Sequence, residues 1–389
     1  GRRASRLPEA GIPVRRRSSR GERDMSISSR RPLLRFRLPS VPVQVNPHNS
    51  RPLATAGRII LVCACLAAVF ALLCLVSISA GAGEIRFMNL LAHLFSMSLG
   101  TETTLDPAEE TILFSIRLPR ILLAASVGAS LSLSGVVFQV ILRNPLADPY
   151  ILGISGGAAL GAVIGILIGA GFVPLGIPGL AFLGALVAIL LIFGVSESKS
   201  GHSGNTLLLT GVIINAFFSA LIMFSVSLSS SDRLHSVLFW LMGDLSMAEG
   251  NEAALVGMAM IPGFLVLFSL ARPLNLLILG EETAMQLGVN AKRTKKILLA
   301  TASLITAAAV SVSGTIGFIG LVIPHLLRLM LGADHRLLLP SSALFGASFL
   351  VMADTIARTV MAPVELPVGV VTALCGAPYF LYLLHRRAF

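Results

Sequence analysis

Residues 277–296 read LILGEETAMQLGVNAKRTKK. Glu281 and Glu282 open the segment just after a glycine, and Lys292, Arg293, Lys295 and Lys296 close it. On either side lie apolar runs, 253–271 and 297–313, of the length a bilayer-crossing helix needs. Charges this dense cannot rest in hydrocarbon, so the segment marks a point where the chain leaves a membrane and turns back into it.

The rest of the chain fits that reading. Of 389 residues, 55% are hydrophobic and only 13% charged, with a mean hydropathy of +0.85, far from the balance of a water-soluble domain. Counting windows of about 20 apolar residues predicts ten spans. They fall at 58–80, 117–141, 150–169, 179–195, 206–228, 253–271, 297–313, 319–332, 339–358 and 367–384. The fold class is therefore all-α, a polytopic membrane protein.

Positive charge orients the spans. Residues 1–52 hold 13 Lys/Arg against 3 Asp/Glu, whereas the remainder holds 17 against 16. With ten spans, that tail, Arg143, Lys199, the 272–296 loop, Arg336 and Arg386–Arg387 share one side, which places both termini in the cytoplasm. The loop Gly81–Ser115, with five carboxylates and one arginine before its last residues, is then external.

The tail is rich in Arg, Ser and Pro without apolar periodicity, and is expected to be disordered. A basic tail running straight into an apolar span reads as a cytoplasmic flank rather than a nucleic-acid arm. Met25 is an alternative start, which would leave residues 1–24 outside the natural protein and 53–389 as the transmembrane domain.

Several chemistries find no support. No GxxxxGK[ST] occurs, so the chain binds no ATP through a phosphate loop, and the glycine run GISGGAALGAVIGILIGAG at Gly153–Gly171 reads as close helix packing. Cys63, Cys65, Cys74 and Cys375, and the scattered histidines, lack metal-ligand spacing. We expect no metal, no cofactor and no enzymatic activity.

An internal echo pairs ILLAASVGASLSLSG at Ile121–Gly135 with ILLATASLITAAAVSVSG at Ile297–Gly314. These segments cross in opposite directions in the ten-span topology, as halves of an inverted repeat do.

Within 277–296, Glu281 and Glu282 suit a helix start and Gly288 a stop. Ala284, Met285, Leu287 and Val289 give this short helix an apolar face, for lipid or for a partner protein.

The stretch GEETAMQLGVN resembles a segment of the FecCD family, the permease subunits of bacterial ABC importers for iron-siderophores, haem and cobalamin. The run SGTIGFIGLVIPHLLRLMLGADHRLLLPSSALFGASFLVMADTIAR at Ser313–Arg358 and ELPVGVVTALCGAPYFLYLL at Glu365–Leu384 resemble it too, as does RLPRILLAASVGASLSLSGVVFQVILRNPLADPYILGISGGAALG at Arg117–Gly161. The resemblance covers residues 58–387. It implies a homodimer of ten-helix subunits in the bacterial inner membrane, two cytoplasmic ATP-binding subunits, and a periplasmic or lipid-anchored substrate-binding protein.

The same resemblance assigns roles. Gly280, Glu281, Glu282, Ala284, Met285, Leu287 and Gly288 match the coupling helix that receives the ATPase's movement. Arg117, Arg120 and Arg358 match docking residues for the binding protein, with Glu365 a neighbour that tunes the patch; Asp354 lies one turn from Arg358 and can pair with it. Asn144, Pro145 and Leu146, opposite a loop containing Ser203, match a cytoplasmic gate. His325 and His335 are family landmarks of structural type. Asn215 and Ser219, four apart on one helical face, either line the pathway or pair between helices.

The expected function is translocation of a large iron(III)-siderophore-type chelate by an ATP-powered importer, with cobalamin or haem the alternative cargo. A rival of another class, an ion-coupled secondary transporter, calls for several ionisable residues at mid-membrane, and only Asp354 approaches this. A channel calls for a polar filter that is not evident.

Overall fold

The structure, a computed structural model, describes residues 55–80, 106–197, 204–246 and 250–385. The basic tail, most of the 81–115 loop and Ser203 lie outside these residues. All regular structure among the described residues is helical.

Helix α1 is Ala56–Ser79, started by the Thr55 hydroxyl accepting from the Arg58 amide. Helix α2 runs over Pro107–Ile141. The sequence places this span at 117–141, but a capping box between Asp106 and Glu109 starts the helix earlier. The turn Ile112–Arg117 is widened to a π-helix. Pro119 accounts for it, since a proline ring cannot sit against the carbonyl four residues back in a regular α-turn.

The next three helices are α3 (Ile154–Leu167), α4 (Gly176–Glu197) and α5 (Gly204–Ser227). A helix the apolar count does not anticipate follows, α6 at Ser231–Met242. It is too short and too polar at its start to count as a span. Helix α7 is Gly250–Ser269. The expected span continued to 271, but Pro273 disfavours a regular turn against the Ser269 carbonyl and α7 ends there. Separate helices α8 (Ala271–Leu279) and α9 (Glu281–Gln286) take up the turn.

The chain then re-enters as α10 (Ala291–Ser313), α11 (Ile319–Leu331), α12 (His335–Thr359) and α13 (Val368–His385). Among the described residues seven helices, α1, α2, α4, α5, α7, α10 and α12, are long and apolar enough to cross a membrane, and α3, α11 and α13 are shorter apolar helices at the other expected spans. At 14 and 13 residues, α3 and α11 fall short of the roughly 20 needed to cross alone.

Helix α2 is the centre. Between Ile121 and Ile141 almost every residue is buried, and α7, α10, α11 and α12 all pack on it. A helix apolar on every face belongs in the interior. Several crossings are close enough to require glycine, among them α2–α12 and α3–α4. A methyl group on Gly346 of α12 would lie 2.5 Å from the Gly128 carbonyl oxygen of α2, and Gly157 of α3 meets the backbone of Gly184 of α4 just as tightly. The glycine run Gly153–Gly171 thus serves packing.

The internal echo has a structural counterpart. Helices α2 and α10 pack antiparallel, with the Ser134 hydroxyl donating to the Ala302 carbonyl at 3.0 Å. Each is followed by a half-length helix, α3 or α11, reached through left-handed residues at Arg143 and Gly153 in one half and Phe318 in the other. The two halves are related as an inverted repeat.

Candidate functional site

Most of the candidate residues read from the sequence gather at the two ends of the bundle. At one end stands α9, set between Gly280 (φ 126°) and Gly288 (φ 85°), both in backbone conformations that favour glycine. Ala284 is fully buried, whereas Met285 and Leu287 are 55% and 59% exposed. Leu279 and Ile278, just before the helix, are exposed as well. An apolar surface stands here among charges. Glu281 bonds Lys295 of α10 and lies 3.8 Å from Arg143, which follows α2, while Glu282 is exposed. The segment is therefore tied at its acidic start to α10 and, more loosely, to the turn that follows α2.

Arg143 opens the loop between α2 and α3. It is left-handed at φ 49°, and Asn144 then forms a tight turn in which its side-chain oxygen accepts from the Leu146 amide at 2.9 Å. Pro145 and Leu146 are half-buried within that turn. Asp148, buried, accepts from the Tyr150 amide at 2.9 Å and so starts the 3₁₀ turn Pro149–Leu152 leading into α3. Burial raises the Asp148 carboxyl to about 6, against a smaller lowering by that amide bond. Its importance was not read from the sequence, although the Asp-Pro pair is a turn signal.

Asn215 and Ser219 lie on α5, both half-buried. The Asn215 oxygen faces α3, since a methyl group on Gly156 would lie 2.5 Å from it. Asn215 thus occupies the α3–α5 seam.

At the same end as α9, the Asp334 carboxylate caps α12. Burial opposes its charge, but bonds from Arg336 and Asn275 outweigh that and bring it down to about 2. His335 is fully buried and its ring meets the Asn275 side chain. Asn275 carried no signal in the sequence reading.

An ion cluster occupies the opposite end. Arg120 of α2 binds Asp354 of α12 through Nε, 3.0 Å from both carboxylate oxygens, and through Nη2 at 2.9 Å. Its Nη1 reaches Glu365 at 2.8 Å. The pairing of Asp354 with Arg358 is present at 3.6 Å, but Arg120 is the closer partner. Arg358 also donates to the Ala80 carbonyl at 2.9 Å and to the Ser77 carbonyl and hydroxyl, and Arg117 donates to the Ile78 carbonyl. Arg117, Arg120 and Arg358 are 4%, 7% and 8% exposed, so in this structure they bind from within, and Glu365 is the accessible member.

Between α4, α7 and α10 lies an apolar cavity of about 630 Å³, lined among others by Phe182, Met258, Pro262 and Leu304. It contains none of the residues singled out above.

Comparison with known proteins agrees with the geometry. The family model described as the FecCD transport family matches residues 65–386. The cobalamin import system permease protein of Halobacterium salinarum is 48% identical over 279 residues, covering 72% of this chain and 74% of that protein. The hemin transport system permease protein of Yersinia pestis is 42% identical over 322 residues, covering 82% and 95%. Among solved structures, a metal-chelate type ABC transporter in an inward-facing conformation superposes with a TM-score of 0.72 at 33% identity, covering 84% of this chain and 99% of that one.

Proposed function

The chain belongs to the FecCD transport family, and from that premise we propose that it is the permease of a binding-protein-dependent importer carrying an iron(III)-siderophore-type chelate inward across the bacterial inner membrane. It is a transport subunit of an ABC importer and not an enzyme. The observation that carries the reading is α9, a short helix presenting Met285 and Leu287 outward between two glycines, anchored by Glu281 to the ends of α2 and α10. A transporter that binds no nucleotide needs such a contact to receive work from an ATP-binding partner.

On this reading α9 and Arg143, Lys295 and Arg336 face the cytoplasm, in keeping with the positive-inside bias. The ion cluster then faces outward. Arg117, Arg120 and Arg358 serve docking from beneath the surface: they fix the ends of α1, α2 and α12 and hold Glu365 in the shape that the binding protein meets. The Asn144–Pro145–Leu146 turn closes the inner mouth of a pathway on the axis of a homodimer, and Asn215 and Ser219 support the helices that line it. Cobalamin is a second reading of the cargo, favoured by the 48% identity to a cobalamin permease.

The test is reconstitution in proteoliposomes with the cognate ATPase and binding protein. Uptake should require ATP and persist after ionophores collapse ion gradients, and labelled ferric siderophore, cobalamin and haem offered in parallel identify the cargo. Uptake that fails with ionophores and ignores ATP would replace this reading with an ion-coupled carrier.

A further inference from the structure

Helix α8 leads directly into α9, with only Gly280 between them. Near its middle, Asn275 reaches across to the corner between α11 and α12. The Asn275 Oδ1 accepts from the His335 backbone amide at 2.9 Å and from His335 Nδ1 at 2.6 Å, while its Nδ2 donates to Asp334 Oδ1 at 2.9 Å. The backbone amide settles which amide atom is the oxygen, and that oxygen in turn requires the proton on His335 Nδ1. One side chain thus meets both the N-cap and the first residue of α12. Arg336 clamps the same Asp334 with Nη2 at 2.9 Å, so the corner is held from two sides.

Helix α12 is continuous over its 25 residues, through Pro340, and its last turns carry Asp354 and Arg358 into the ion cluster at the far end. Near the middle it rests on α2 at the Gly128–Gly346 contact, backbone against backbone with no side chain between. A rod held at one end, supported near its centre and charged at the other end transmits tilt. Contacts between flexible side chains would absorb that movement, whereas a glycine contact between two backbones does not.

We propose that Asn275 is a positioning residue that ties the α8–α9 lever to α12, so that displacement of α9 tilts α12 about its contact with α2 and alters the Asp354–Arg120–Glu365 cluster at the opposite end. This rests on the importer reading above and adds the route by which the two ends communicate. Thermodynamically, it is a coupling between ATP at the partner and affinity for the binding protein, and such couplings are reciprocal.

The test uses the full transporter, with the ATPase subunits carrying a hydrolysis-blocking substitution. Binding-protein affinity is measured with and without ATP. Wild type should show a shift of about tenfold, within the range typical of coupled sites. Asn275→Ala should reduce it to about twofold or less while ATPase assembly and the subunits' own ATP affinity stay unchanged. Asn275→Asp sets two carboxylates together and should also lose the shift. Adding Asp334→Asn to it returns a donor opposite an acceptor, keeps an N-cap, and should restore most of the shift. A merely structural role would lower thermal stability in these variants and leave the ratio intact. A full shift in Asn275→Ala, no recovery in the double variant, or no shift in the wild type would each overturn the proposal. If Asn275→Ala does not assemble, the aspartate and the exchanged pair decide. Failure of the importer reading itself would be visible separately, as absence of ATPase assembly in the wild type.

Discussion

Arg120 and Asp354 form a buried pair across the α2–α12 interface, the guanidinium holding both carboxylate oxygens. Asp354 is 1% exposed, and its other cation, Arg358, stands 3.6 Å away. Removing Arg120 alone strands most of that charge. Arg120→Ala should cost about 3–5 kcal/mol of stability, read as a fall in the melting temperature of the detergent-solubilised permease. Adding Asp354→Asn should recover part of the loss.

Docking is tested separately, by reversing Arg117, Arg120 or Arg358 to Glu and measuring binding-protein affinity on folded protein. Because the arginines lie beneath the surface, these variants should lose affinity together with stability, and no charge change in the partner should rescue them. Glu365→Arg should weaken docking at unchanged fold, and a complementary charge change in the partner should restore part of it, since close interfacial pairs couple by roughly 1.5–7 kcal/mol; rescue of the arginine variants instead would show that the arginines meet the partner directly.

At the lever, Met285→Asp combined with Leu287→Asp should leave the permease inserted and folded, since both side chains already face outward. ATPase assembly should weaken by several kcal/mol, as an unpaired charge enters an apolar contact. Copurification of the ATPase at wild-type yield, with normal uptake, would remove the coupling assignment from α9.

Asp148 predicts a pH dependence. Its folded-state value of about 6 stands above the ordinary 3.8, so between these values the folded chain holds a proton that the unfolded chain has lost. Stability should therefore fall as pH rises through that window, by on the order of 3 kcal/mol, and level off above it. Asp148→Asn keeps an acceptor for the Tyr150 amide and should flatten the profile; an unchanged slope in thermal melts between pH 4 and about 6.5 would show that another group titrates.

The α2–α12 crossing tolerates no side chain. Gly346→Leu should force the helices apart at a cost of about 1–3 kcal/mol or more, and Gly128→Leu likewise, while Leu at Gly257, which has open space around it, should be nearly neutral. Comparative melts of the three variants check this.

The helices were legible because a bilayer imposes one solution on an apolar run of sufficient length, and the fold class followed from that constraint. The short helix α9 was legible too, since its glutamates, glycines and lysines stand out against apolar surroundings. Helices α6 and α8 were not, because amphipathic segments of 12 and 9 residues look like loops when the criterion is span length. At the ion cluster, local spacing revealed Asp354 with Arg358, yet the closer Arg120 contact joins residues 234 apart in the chain. No periodicity encodes such a pair. The same holds for Asn275 and Asp334, whose identities are ordinary and whose meeting depends on how α8 stacks on the α11–α12 corner.

Helix α1 carries a consequence for how this sequence can change over time. Ser77 is its one buried residue, about half of the others are exposed, and Phe70, Cys74 and Ile78 rest against the core, while its far end is tied down by arginines from α2 and α12 that bond the carbonyls of Ser77, Ile78 and Ala80. Near its start, Arg58 donates to the Leu331 carbonyl at 3.1 Å. Carbonyls at a helix end lack partners within the helix and are the same whatever residue bears them. At its two ends the attachment reads backbone, so exposed residues such as Leu61, Val69 and Leu72 are free to drift among apolar types without loosening those bonds. Selection on the ends of this helix should act on arginines located elsewhere in the chain, and a scan of α1 limited to apolar replacements should come out nearly flat on the exposed face and sensitive at Arg58, Phe70, Cys74, Ser77 and Ile78.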